Sequence, residues 1–127
     1  MNAALGLLIA DDDEAQRWTL REIFEPAGFQ VYTAGSGEEA LDVAEAHAVD
    51  CLLFDLHMPG ISGLEAFQLL CQRPAAPPCV LLTSDASPGL LQRALSARVY
   101  TVLSKPVSRQ LVTHSVRRAI LAHARAS

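Results

Sequence analysis

Three short apolar runs, residues 5–10, 51–54 and 79–82, contain no polar alternation and each stops at a polar or turn residue. Segments of this kind read as strands buried on both faces, the environment of a parallel sheet covered by helices on either side. Two more segments, residues 29–32 and 99–103, are alternating or mixed in polarity, as expected at the margins of such a sheet.

Helical patterns fill the intervals. Leu20, Ile23, Phe24 and Ala27 form an apolar stripe in the first. Ser36 with Glu39, ahead of Ala40, Val43, Ala44 and His47, and Ser62 with Glu65, ahead of Leu64, Phe67 and Leu70, have the spacing of capping boxes. Ser87 followed by Pro88 marks a fourth start, and Ser108 precedes a last helix with Leu111, Ser115, Ala119 and Ile120 on one face. Five strands alternating with five helices predict an α/β doubly wound parallel sheet of order 2-1-3-4-5, flavodoxin-like, with its crevice beyond the carboxyl ends of strands one and three.

At 127 residues the chain is expected to form a single domain over 1–127. Its apolar runs fall far short of the roughly 20 residues that span a bilayer, so no membrane association is expected. No basic residue precedes the first apolar run and three aspartates follow it, unlike a secretory leader; the expected location is cytoplasmic. The net charge of −4 argues against direct nucleic-acid binding. Charge is uneven: residues 1–63 hold 12 of the 14 acidic groups, whereas eight of the 10 basic ones follow, and the arginines near the C-terminus read as a solvated helix face. Cys51, Cys71 and Cys79 lack paired spacing and read as buried thiols rather than a disulfide framework or zinc site.

Chemistry gathers at the predicted carboxyl ends: Asp11 and Asp12 after the first strand, Asp55 after the third, Thr83 after the fourth and Lys105 after the fifth. Any one of these has an ordinary structural explanation; together they do not. Two carboxylates ~4 Å apart repel by about 4 kcal/mol at an effective dielectric of ~20, so three at one crevice call for a cation. All-oxygen ligands in an open crevice suit Mg2+, commonly shared with a phosphate. Beside it, Asp55 can act as a nucleophile toward phosphorus, with Thr83 and Lys105 as donors to the phosphoryl oxygens. Lys105 is the sole lysine; the other nine Lys and Arg residues are arginine.

The segments at residues 8–13, 55–60 and 82–84, together with Lys105 and Pro106, resemble in order and spacing the signature set of receiver domains of bacterial two-component response regulators, over essentially the whole chain. The resemblance implies that Asp55 is the phosphoacceptor, Asp12 a direct Mg2+ ligand, Asp11 a ligand mainly through water, and the main-chain carbonyl of His57 a further ligand. It makes Thr83 and Lys105 the phosphate-sensing pair and leaves Asp13 to start the first helix. It also implies a sensor histidine kinase or histidine phosphotransfer protein as donor, a downstream output protein or domain as recipient, and catalysis limited to the chain's own phosphorylation and dephosphorylation. His57 and Asp85 are implied to flank the path of the hydrolytic water. The signalling face would be the fourth helix, fifth strand and fifth helix.

Two departures fall in the switching region. Arg98-Val99 stands where most relatives have Gly-Ala, and Val102 stands three residues before the lysine, where an aromatic is usual. Tyr100 is the only nearby aromatic, so the response is expected in residues 84–87 and the start of the fourth helix. Trp18 reads as a packing or surface residue, and His47, His114 and His123 have no partners identifiable from sequence. Two competing readings are a Mg2+-dependent aspartyl phosphohydrolase, which would want a second carboxylate where His57 stands, and a receiver-like interaction domain independent of phosphate, which the complete site set opposes. No DNA-binding, cyclase, protease or kinase segment is recognisable after residue 124, so the chain is expected to be a stand-alone receiver or part of a longer regulator.

Overall fold

A computed structural model describes residues 4–126. In chain order it contains β1 (Gly6–Ala10), α1 (Glu14–Phe24), β2 (Gln30–Ala34), α2 (Gly37–Ala46), β3 (Cys51–Asp55), α3 (Gly63–Cys71), β4 (Cys79–Thr83), α4 (Pro88–Ser96), β5 (Thr101–Ser104) and α5 (Arg109–Ala126). The strands form one parallel sheet of order β2-β1-β3-β4-β5, as the pattern of apolar runs predicts. Every residue of β1, β3 and β4 is buried, whereas β2 and β5 keep exposed positions. No described helix is long and apolar enough to cross a membrane.

Strand alternation divides the core into two layers. Leu8, Leu52, Phe54 and Leu81 face Ala40, Leu64, Phe67, Leu70, Leu90 and Ala94 from α2, α3 and α4. Leu7, Ile9, Leu53, Val80 and Leu82 face Leu20 and Phe24 of α1 and Val112, Val116 and Ala119 of α5. Because successive residues serve opposite layers, a register slip in β1 or β3 would turn both apolar sets around together, and it would also displace the aspartates at their ends.

Local signals set most helix boundaries. Asp13 caps α1, accepting from the amides of Ala15 and Gln16. Ser62 and Glu65 complete a reciprocal capping box on α3. Ser36 caps α2, but Glu39 reaches the amide of Gly35 instead of that of Ser36, so the predicted box there is only half formed. Ser87 caps α4 with Pro88 in its first turn, and Ser108 accepts from the amide of Leu111 at the start of α5.

Three expectations are corrected. Ala27 is exposed beyond α1, because Gly28, at φ 98°, closes the helix with its amide on Glu25 and that of Phe29 on Phe24. On α5 the inward face is Val112, Ser115, Val116 and Ala119, while Leu111 is 46% exposed. Cys71 is exposed at the end of α3; Cys51 and Cys79 are buried, and burial pushes the Cys51 thiol up to about 12 and that of Cys79 well above its ordinary value. His47 gains a partner in the fold, stacking on Tyr32 with ring centroids 4.3 Å apart.

Candidate functional site

The parallel register brings the ends of β1 and β3 together, with Ala10 opposite Phe54 and Asp55 following. Asp11 lies just past β1, 1% exposed, and Asp55 ends β3 at 7%. Asp12 is exposed at the crevice mouth. One carboxylate oxygen from each of these three residues lies within 4.8 Å of the others.

Lys105 enters from the opposite side. The amide of Lys105 donates to the Thr83 carbonyl at 2.8 Å, extending the β4–β5 ladder by one residue. From there Nζ reaches Oδ2 of Asp55 at 3.2 Å and Oδ2 of Asp11 at 3.4 Å. The Lys105–Pro106 peptide is cis. Within the cluster three carboxylates face one ammonium, so acidic groups are in excess. Burial holds the Asp11 carboxyl above its ordinary value; the Asp13 amide, donating to Oδ1 at 2.9 Å, partly offsets this, while the charge of Asp55 adds to it. For Lys105 burial acts to lower the pKa, but the charges of Asp55 and Asp11 outweigh it, and the net shift is upward.

Thr83, fully buried, ends β4 beside this cluster, and its Oγ1 accepts the Asp85 amide at 3.0 Å. Accepting that bond leaves the hydroxyl its own proton to donate. The same bond ties the hydroxyl to the exposed segment 84–87 that leads into α4. His57 is exposed in the loop after β3, and among the described residues its main-chain carbonyl accepts no hydrogen bond. Asp85 is exposed as well.

Three supporting residues escape a reading of the sequence alone. Arg17 donates from Nη1 to the main-chain carbonyl of Asp11 at 2.6 Å, holding the loop that carries Asp11 and Asp12. Glu38 accepts the Ile61 amide at 3.4 Å, a long tether between the start of α2 and the loop after Asp55. Gly63 begins α3 where any Cβ would overlap the main-chain carbonyl of Asp55. Helix spacing gives no hint of the first two, and the third shows only as a glycine one residue past a serine cap.

The oxygen set fits a hard divalent cation. In an octahedron with bonds of roughly 2.1 Å, ligand oxygens are about 3.0 Å apart when adjacent and about 4.2 Å when opposite, so three oxygens mutually within 4.8 Å have to draw inward to share one ion. No sulfur or imidazole group belongs to the cluster, as zinc would favour.

Comparison with known proteins places the chain in a family. The family model described as response regulator receiver domain matches residues 7–117. Over 122 residues the chain is 34% identical to the transcriptional activator protein ExaE of Pseudomonas putida, covering 94% of this chain and 57% of that protein. It is 33% identical over 108 residues to the sensory/regulatory protein RpfC of Xanthomonas campestris, covering 82% of this chain and 15% of that protein. It thus spans less than two thirds of each of these curated relatives. A crystal structure of a putative response regulator from Chloroflexus aurantiacus superposes with a TM-score of 0.87 at 29% identity, over 94% of this chain and 99% of the other. A CheY-like receiver domain protein from Methanospirillum hungatei reaches 0.92 at 22% identity, covering 98% and 100%, a likeness of fold alone. On the family match and the identities, the chain belongs to the receiver-domain family of response regulators.

Proposed function

We propose that the chain is one receiver domain over 1–127 and that Asp55 is its phosphoacceptor. The observation that carries this reading is the convergence of Asp11, Asp12 and Asp55 with the Lys105 ammonium at the carboxyl ends of the central strands. Asp11, Asp12, Asp55 and the main-chain carbonyl of His57 would hold Mg2+, which offsets the charge of the incoming phosphoryl group. A carboxylate oxygen of Asp55 attacks phosphorus of a phosphohistidine on a sensor kinase or phosphotransfer protein. The P–N bond breaks as the new P–O bond forms, and the imidazole leaves with the bonding pair. Lys105 and the Thr83 hydroxyl donate to the phosphoryl oxygens. The chain then catalyses only its own phosphorylation and dephosphorylation, with His57 and Asp85 beside the path of the hydrolytic water, and passes the signal to an output protein or domain through α4, β5 and α5.

The Thr83–Asp85 hydrogen bond supports a response carried by the loop. When the phosphoryl group draws the Thr83 hydroxyl inward, the amide of Asp85 is pulled with it, and segment 84–87 and the start of α4 follow. Val102 is half-buried against the core and has one stiff torsion, and Tyr100, 40% exposed, stands just before β5. Backbone amide NMR with Mg2+ and fluoroberyllate, a stable phosphoryl mimic, tests this. The expected result is a strong response at residues 83–92, present only when both additives are present. A response confined to Val102 and its strand would contradict the loop route.

A further inference from the structure

At the end of the sheet opposite Asp55, a crevice of about 560 Å3 opens between the last turns of α3 and α5 and the starts of β4 and β5. Its volume lies in the range of small-molecule sites. Phe67, Pro78 and Ala119 are among its apolar lining residues, and Arg73, Arg98 and Tyr100 are among its polar ones. No Asp or Glu is among its described lining residues, in a chain whose net charge is −4. Arg73 has one loose, exposed ion pair, 3.9 Å from Glu45, and the Arg98 side chain has neither an ion pair nor a hydrogen bond among the described residues.

A second observation falls on the same place. Among the described residues only Ala75, at φ 57°, and Arg98, at φ 65°, adopt a left-handed backbone without being glycine, and both line this crevice. Arg98 occupies the position that closes α4, its amide on Leu95 and that of Val99 on Ala94. Glycine would make that closure without steric penalty; here an arginine holds the left-handed position and its residue borders the cavity.

We propose that this crevice binds a small organic anion, a carboxylate or phosphate monoester on an apolar body, gripped by Arg73 and Arg98 with its body against the Phe67 wall. Two guanidiniums supply planar, forked donors for such a head group, and an apolar body gains from leaving water. The assignment does not depend on phosphorylation at Asp55.

The test is an amide NMR titration of the whole chain in the presence of a chelator, which keeps divalent metal out of the acidic cluster. Phenyl phosphate and benzoate are the probes; inorganic phosphate and benzyl alcohol are the controls. Saturable shifts are expected around residues 73, 79 and 98–100, with each control at least about tenfold weaker, and the tighter of the two probes identifies the head group. Arg98→Gly removes the guanidinium while relieving the backbone, so it stays folded; it should weaken the better probe by about tenfold or more, and Arg73→Gln should act in the same direction. Absence of saturable shifts with both probes, equal binding of inorganic phosphate, or unchanged affinity in Arg98→Gly would each overturn the proposal.

Discussion

The crevices at the two ends of one sheet gather opposite charge by different means. At the carboxyl end, three aspartates converge on Lys105, and their placement follows from strand register and helix caps. At the amino end, the arginines of the α3–β4 and α4–β5 connections border a crevice built from two strained backbone positions. The difference shows where this fold places charged groups without backbone strain and where it does not. Buried parallel strands deliver residues to one rim at fixed register, whereas connections at the other rim have to be bent into place.

The largest effect that can break this comparison is on metal binding. Asp12→Ala should weaken Mg2+ affinity by more than roughly 100-fold, since outer-shell partners alone are commonly worth 10–100-fold, and it should leave the amino-end crevice untouched. Calorimetric titration with Mg2+ measures it, and unchanged affinity would remove Asp12 from the ligand set. Without metal the variant should be at least as stable as the parent, because a carboxylate that repels Asp11 and Asp55 is gone.

Next in size is the support beneath Asp55. Gly63→Ala places a methyl group on the Asp55 carbonyl and 3.2 Å from Cβ of Phe54, and backbone cannot yield as a flexible side chain does. A loss of about 3 kcal/mol in urea unfolding is expected, with slower phosphorylation of whatever protein remains folded. A loss below about 0.5 kcal/mol would show that α3 is not packed on β3 as described.

The smallest effect has the opposite sign and belongs to the other end. Arg98→Gly should raise stability by about 0.5–1 kcal/mol, the steric relief at φ 65° being partly offset by the greater freedom of glycine in the unfolded chain. A fall in stability would mean that the arginine side chain makes packing contacts that outweigh the backbone strain.

Much of the carboxyl end was legible because its signals are local. Apolar runs that stop at Asp11, Asp55 and Thr83 state where strands end, and the caps at Asp13 and Ser62 state where helices begin. What departs from the sequence pattern depends on tertiary contact. On α5, Leu111 and Val112 each begin a plausible stripe, and only packing against the sheet selects the one through Val112 and Val116. Ala27 continues the α1 periodicity, but the turn at Gly28 removes it from the helix. Cys71 lies in an apolar context in sequence and ends α3 facing outward. Arg17 illustrates the remaining gap in the site: its bond to the Asp11 carbonyl bridges the first turn of a helix and a loop, a relation that no residue pattern announces.

Phosphorylation at Asp55 is tested most directly by incubating the protein with acetyl phosphate and measuring intact mass with Mg2+, with chelator, and in Asp55→Asn. The account predicts a gain of one phosphoryl group in the parent protein with Mg2+ and none in either of the other two cases. A phosphoryl gain that persists in Asp55→Asn, or that is indifferent to the chelator, would contradict it.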